Sequence, residues 1–407
     1  MTRAALDARI DAALAARSAL AATPIRTRAE ALAAAARRWQ RDTSLAAAIA
    51  ERGALSPAMV DAVLPLAAGA IGAPAMIGLV EHELGRGAAD APPPAGPRVV
   101  LHVLASNVPA LALPAIALGA LAGAVVVVKS GRDDPASAPA FVDALRAEMP
   151  ELAATIVATY WPGGTPEPED AALARADVAV LTGGDAALAA LAPRVRGRRV
   201  LHGPRTSVAA VARDALADPA SVAAAIARDA ALYEQRGCLS PHAVWVEEGG
   251  AASAEDLAGE IAAALDVARE RLPLGPAPVE ERAAVRVAWD AAEHESGTRL
   301  LGAPGAGVVL HGDAAPRACV GGRTLRVHPI RDLAALPGLL VPGAIECVGL
   351  AGGDPAALAA PLRARGVARL CPIGRMQQPR LSWPRGQRPP LGVLLGRDGD
   401  PVIEVEA

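Results

Sequence analysis

Residues 99–132, VVLHVLASNVPALALPAIALGALAGAVVVVKSGR, decide how this chain folds. Val99 to Leu104 is a short apolar run suited to a buried strand, and Ser106-Asn107-Val108-Pro109 breaks it as a loop. Leu111 to Ala122 reads as a helix that Gly123 stops. Val125 to Val128 is an unbroken β-branched run, the pattern of a parallel strand buried on both faces, with Lys129 at its carboxyl end. Strand, loop, helix and strand in that order begin an open α/β sheet, whose ligands sit outside the carboxyl ends of the strands. A membrane span is the competing reading of so apolar a run; Asn107, Pro109, Pro114 and the glycines inside it argue against one.

Two residues of this stretch occur nowhere else in the chain. Asn107 is the only asparagine, and of the 40 Lys and Arg residues only Lys129 is a lysine. Arg presents a wide planar fork and Lys a compact charge on a thin stem, so a narrow site for one ammonium does not accept the exchange. A carboxamide, in turn, donates hydrogen bonds without carrying charge. Both unique residues fall at strand ends, where a ligand is expected.

Working outward, residues 1 to about 90 look helical, beginning with an amphipathic segment whose Asp7 and Asp11 rule out a secretory signal. The run Ala91-Pro92-Pro93-Pro94-Ala95-Gly96-Pro97 is a stiff connector into the key stretch. Beyond it, the strand Asp177 to Leu181 ends in Thr182-Gly183-Gly184 before a helix, a turn that offers backbone N–H groups to a phosphate and is as often a plain strand-to-helix turn. The alternation of strands and helices supports a Rossmann-like sheet, followed from about residue 207 by a second α/β domain. The expected division is a nucleotide-binding domain over 1–206, a catalytic domain over 207–375 and a C-terminal segment over 376–407. In the last, Leu391 to Leu395 and Val402 to Val405 read as a β-hairpin. An isolated hairpin is marginal in water, so this one is expected to add to a partner's sheet in a homodimer.

Net charge is −3, which leaves no electrostatic footprint for nucleic acid or an anionic membrane. The four cysteines show neither paired zinc spacing nor a disulfide framework, so no metal site is expected and a reducing cytoplasm is the default. Cys319, Cys347 and Cys371 read as core residues. Cys238 differs, since it lies in the turn Glu234-Gln235-Arg236-Gly237-Cys238 between a helix and a strand. A nearby arginine there would favour the thiolate. Glu234 reads as a surface partner for an arginine, and His202 as a hydrogen-bonded histidine at a strand end.

Taken together, Asn107-Val108-Pro109, Lys129, Thr182-Gly183-Gly184, Glu234 to Pro241 and the run CPIGRMQQP from Cys371 resemble the aldehyde dehydrogenase superfamily, in this order, over roughly residues 95–390. Within it they are most similar to the acyl-CoA reductases that include the fatty acid reductase of bacterial luminescence. The resemblance implies a Rossmann-like domain plus a catalytic α/β domain, with Cys238 as nucleophile and Asn107 as oxyanion donor. It assigns Lys129 to the cofactor's adenosine ribose, Thr182, Gly183 and Gly184 to its pyrophosphate, and Ser106 to the cofactor loop. Arg132, three residues after Lys129, stands where an acid would repel a 2′-phosphate, which implies NADPH rather than NADH. Where hydrolytic members carry a general-base glutamate this chain has Leu201, with His202 expected on the other side of the strand. That departure fits an acyl-CoA substrate, whose acyl-enzyme needs no activated water. Aldehyde oxidation, acyl phosphate reduction and a non-catalytic relative remain open alternatives.

Overall fold

The computed structural model describes residues 1–406. Two sheets make up its core. The first contains β1 (Val99–Val103), β2 (Val125–Lys129), β3 (Ile156–Thr159), β4 (Val178–Thr182) and β5 (Arg198–His202), all parallel, in the order β3-β2-β1-β4-β5. The second contains β6 (Thr206–Val211), β7 (Pro241–Glu247), β8 (Thr298–Ala303), β9 (Ala306–His311), β10 (Thr324–Ile330), β11 (Ile345–Ala351), β12 (Arg369–Pro372) and β13 (Glu404–Val405). Its order is β13-β12-β11-β6-β7-β10-β9-β8, parallel except for the β8–β9 pair.

The first sheet forms where the apolar runs predict it, because strands covered on both faces need no polar alternation. On one face Leu6, Ile10 and Ala13 of the helix Arg3–Arg17 pack over Val99, Leu101, Val125 and Val127. On the other, the helices Ile25–Trp39, Pro57–Ala70 and Ala112–Leu121 cover Val126 and Val128. The apolar helix Ala112–Leu121 is thus core, and no single helix among the described residues is long and apolar enough to cross a membrane.

Register then fixes where ligands can go. Val103 of β1 pairs with Lys129 of β2, and Thr182 of β4 pairs with His202 of β5, so these carboxyl ends form one rim. The chain reverses its winding direction between β1 and β4, and such a switch point opens a crevice between the loops that follow the two strands. From His202 the chain runs directly into β6, which sets the amino-terminal edge of the second sheet against that rim.

The C-terminal hairpin is not formed. Residues 391–395 make a turn whose Leu391, Val393 and Leu394 are all buried, the last two against Val100, Val178, Val180 and Val200 of the first sheet. Glu83 fixes this turn by accepting the Leu391 and Gly392 N–H groups at 3.0 and 2.7 Å. Glu404 and Val405 pair in parallel with β12 of their own chain. The alternation misled because the turn's apolar side chains join Leu118 of the helix Ala112–Leu121 in covering the face at Val100, Val178, Val180 and Val200, and the expected assembly arm has no hairpin to rest on.

Candidate active site

A cavity of about 1020 Å³ lies between the rim of the first sheet and the amino-terminal edge of the second. All eight residues singled out from the sequence line it: Ser106, Asn107, Lys129, Arg132, Thr182, Gly183, Gly184 and Cys238.

The loops after β1 and β2 are joined at close quarters. Ser106 Oγ accepts the Arg132 N–H at 2.8 Å, and a Cβ on Gly131 would lie 2.4 Å from the Ala105 carbonyl oxygen. Only glycine permits that approach. Asp134 completes the joint by accepting the N–H groups of Ala110 and Ser137 at 2.7 and 3.0 Å. Asn107 is thereby presented to the cavity, where its Nδ2 donates to the Arg236 carbonyl at 2.6 Å. This bond joins the loop after β1 to the turn that carries Cys238.

That turn is backbone-strained. Tyr233, Glu234 and Gln235 have φ of 55°, 55° and 61°, in the left-handed region that costs about 1–2 kcal/mol per residue outside glycine. Its side chains hold it there. The Gln235 carboxamide donates to the carbonyls of Pro241 and Thr324 at 2.8 and 3.0 Å and accepts the Thr324 N–H at 3.1 Å. Glu234 is buried, not on the surface as expected: it accepts the Gly275 N–H at 2.7 Å and pairs with Arg236 at 3.2 Å. On the other side of Cys238, Ser207 Oγ donates to the Cys238 carbonyl at 2.7 Å and accepts the Cys347 N–H at 3.1 Å.

The positive charge expected beside the thiol comes from elsewhere. Arg236 is engaged with Glu234 and Glu281, whereas Arg385 and Arg205 act on Cys238 and favour its thiolate. Burial outweighs them and pushes the Cys238 thiol up, with the Glu346 carboxylate adding to the rise. Cys347 and Cys371 are buried as expected, but Cys319 is exposed.

Lys129 ends β2 half-buried, with Nζ 5.8 Å from the centroid of the Tyr160 ring. Burial pulls its ammonium down and the Glu169 carboxylate partly restores it. Arg132 is 80% exposed and pairs with Asp133 at 2.9 Å. In the glycine turn, the Gly183 N–H already donates to the His202 carbonyl at 3.2 Å.

His202 corrects a second expectation. It lines the cavity, while Leu201 is 49% exposed and lies outside it. Alternation along β5 puts the histidine, in register with Thr182, on the cavity side. Burial first, then the charges of Arg385, His102, Arg205 and Arg388, hold His202 well below its ordinary range, so its imidazole is neutral at pH 7.

The sequence reading also missed the irregular wall over Cys238. Gln377, within CPIGRMQQP, donates to the Asp229 carbonyl and Ser240 Oγ, each at 2.9 Å. Trp383 and Arg385 follow it along the same wall. The buried Glu346, within the apolar strand IECVGLA, was a legible signal, since a carboxylate in such a run needs a partner; it pairs with Arg205 at 3.2 Å.

Among solved structures the chain is similar to aldehyde dehydrogenase 21 from Physcomitrella patens in complex with succinate, with 16% identity over 98% of this chain and 89% of that one and a TM-score of 0.74. It is also similar to glyceraldehyde-3-phosphate dehydrogenase GapN from Methanocaldococcus jannaschii complexed with NADP, at 14% identity over 93% and 87% of the two chains, TM-score 0.68. A third is aldehyde dehydrogenase AldC from Pseudomonas syringae complexed with NAD+ and octanal, at 19% identity over 91% and 81%, TM-score 0.67. These likenesses show the aldehyde dehydrogenase fold. No curated protein matches the sequence. The family model for acyl-CoA reductase (LuxC) matches residues 93–386, a span that runs from the Pro-rich connector through Arg385 and includes every residue singled out above; the chain belongs to that family, whose membership and fold make it an oxidoreductase acting on aldehydes or acyl groups.

Proposed function

We propose that the protein reduces acyl-CoA thioesters to aldehydes with NADPH, through an acyl group carried on Cys238. The observation that carries this reading is the bond from Asn107 Nδ2 to the Arg236 carbonyl, which brings the chain's only carboxamide of this type to the cysteine turn across a cavity. The amide has a second N–H for a substrate oxygen.

The donor set fits a nicotinamide dinucleotide. Lys129 is a half-buried ammonium without an ion-pair partner among the described residues, and Thr182 to Gly184 open a helix at the end of β4, on the far side of β1. Two of the structural relatives hold NAD+ or NADP, which supports the same class here. Arg132 would meet a 2′-phosphate by releasing Asp133. NADPH, when bound, supplies the hydride that reduces the acyl carbon.

The chain's own groups do the rest. Cys238 Sγ attacks the thioester carbonyl carbon, and the carbonyl π pair moves to oxygen, where the Asn107 amide and a backbone N–H near Cys238 hold the charge. Collapse expels coenzyme A as its thiolate and leaves the acyl-enzyme. Once the carbon is reduced, the oxyanion collapses again, the S–C bond breaks, and the aldehyde leaves with Cys238 restored.

The placement of His202 favours a second reading, hydrolytic aldehyde oxidation, in which the neutral imidazole deprotonates water. One experiment separates the two. Acyl-CoA with NADPH is expected to give aldehyde and free coenzyme A, and Cys238→Ala should lose this activity by several orders of magnitude while still binding NADPH. In reverse, aldehyde with NADP should give acyl-CoA when coenzyme A is supplied and little free acid without it. Rapid coenzyme A-independent acid formation that His202→Ala removes would refute the reductase reading.

A further inference from the structure

Arg385 is a cation in the wall of the cavity that Cys238 also lines. Among the described residues its guanidinium has no ion-pair partner; it lies 5.9 Å from the centroid of the Trp383 ring. The turn that carries it is held against its own preference. Gly386 and Gln387 both have φ of 64°, and for glutamine this is a strained backbone. Four bonds over-determine it. The Gly386 N–H donates to Glu346 Oε1 at 3.2 Å, Gln387 Nε2 donates to the Arg363 and Val367 carbonyls at 2.7 and 3.0 Å, and the Gln387 carbonyl accepts the Val402 N–H at 3.0 Å. Strain kept in place by this much bonding is characteristic of a site, and here it holds the backbone that carries Arg385 over Trp383, which packs with Cys238 against the same buried cluster of Leu239, Cys347, Cys371 and Met376.

We propose that Arg385 is a positioning residue for the reaction: this unpaired guanidinium, carried in the cavity wall by the Trp383–Gln387 turn, offsets part of the cost of burial and so favours the Cys238 thiolate that attacks. The inference rests on Cys238 being the nucleophile. Of the other charged and titratable groups on this side of the cavity, Arg205 also favours the thiolate but less than Arg385, and Glu346 opposes it. Arg205 is neutralised by Glu346, Arg236 by Glu234 and Glu281, and His202 is neutral. Arg388, exposed at the end of the same turn, and the buried His102 act on His202 rather than on Cys238. Arg385 is the first of the influences that lower the Cys238 thiol against burial. On ionisation the proton leaves Sγ for solvent in the open cavity, and the negative charge left behind faces the guanidinium.

The test is the pH dependence of alkylation of Cys238 by iodoacetamide, without substrate, read as the Cys238 adduct by peptide mass spectrometry because Cys319 is exposed and reacts as well. Only the thiolate reacts. Arg385→Gln, which keeps a planar side chain over Trp383, should slow alkylation at pH 7 by about tenfold or more and converge with wild type at high pH. Arg385→Lys should recover most of the rate, which a purely structural role would not produce. Should the Gln variant fail to fold, Arg385→Met makes the same comparison. Alkylation profiles of the uncharged variants that superimpose on wild type, or a Lys variant no better than Gln, would overturn the inference. Cys238→Ala separates its failure from that of the reductase reading: activity surviving in that variant removes the nucleophile itself, whereas activity lost there beside unchanged Arg385→Gln alkylation removes only the role of Arg385.

Discussion

Replacing Asp229 by asparagine should stabilise the protein at neutral pH and leave it unchanged in acid. Asp229 is fully buried on the helix Pro219–Ala231. One carboxylate oxygen accepts the Gly374 N–H at 2.5 Å, and the other has no partner. Burial pushes the carboxyl up from 3.8 to about 6, opposed by the backbone amides of Gly374, Met376 and Gln377 and by the charge of Arg228. A raised acid is favoured in its neutral form by the fold, so its contribution to stability is complete below pH 4 and is lost as pH rises through about 6. Two pH units correspond to roughly 3 kcal/mol, which is the upper bound on what the ionised group withdraws at pH 7.5. Asparagine mimics the neutral acid and keeps an acceptor for the Gly374 N–H. The wild-type curve alone would not show this. His102, His242, His311 and His328 are held down to about 4 by burial, and such histidines stabilise above their ordinary range and lose that contribution in acid, opposing Asp229. They cancel in the difference between Asp229→Asn and wild type. Urea unfolding from pH 4 to 8 should therefore give a difference near zero at pH 4 that rises through pH 6 toward ~3 kcal/mol. A difference that is flat with pH, or a variant less stable at pH 8, would refute the assignment.

Asn107→Ala should lower turnover by about 10²- to 10³-fold with little change in KM, since the carboxamide acts on the oxyanion rather than on the ground state; steady-state kinetics with an acyl-CoA and NADPH reads this, and an unchanged kcat would remove Asn107 from the mechanism. Arg132→Glu should reduce the preference for NADPH over NADH by about 10- to 100-fold in kcat/KM, the loss of a charge-assisted contact to a 2′-phosphate. A wild type that prefers NADH would contradict that role for Arg132.

How much of this was legible follows from which forces write themselves into a local pattern. Val99–Val103 and Val125–Lys129 were readable because strands buried on both faces are apolar without interruption, and the rim followed because parallel strands put their carboxyl ends together. Asn107 and Lys129 were found through their singularity in the composition. The wall from Gln377 to Arg385 was not, because its residues are placed by bonds to distant partners such as Asp229, Glu346 and Val367. Arg385 is one arginine among many, and only its place in the cavity wall over Trp383 sets it apart. The C-terminal hairpin failed for the opposite reason, a good local pattern overruled by packing of Val393 and Leu394 on the sheet face at Val100, Val178 and Val200.

The most consequential of these differences is a single residue long. Matching Leu201 to the general-base glutamate of hydrolytic relatives leaves β5 without a base, but a strand alternates, so Leu201 and His202 take opposite faces, and it is His202, paired with Thr182, that lines the cavity. Its presence does not make it an effective base. Arg385 and Arg205 depress the imidazole by the same fields that favour the Cys238 thiolate, and a base pulled well below neutrality removes a proton from water less readily. In the proposed reaction, one wall of arginines thus favours the attack of Cys238 on a thioester and disfavours hydrolysis of the acyl group that the attack would create. An acyl-enzyme protected from water in this way would persist until it is reduced or returned to coenzyme A, which is what the proposed acyl-CoA reduction requires.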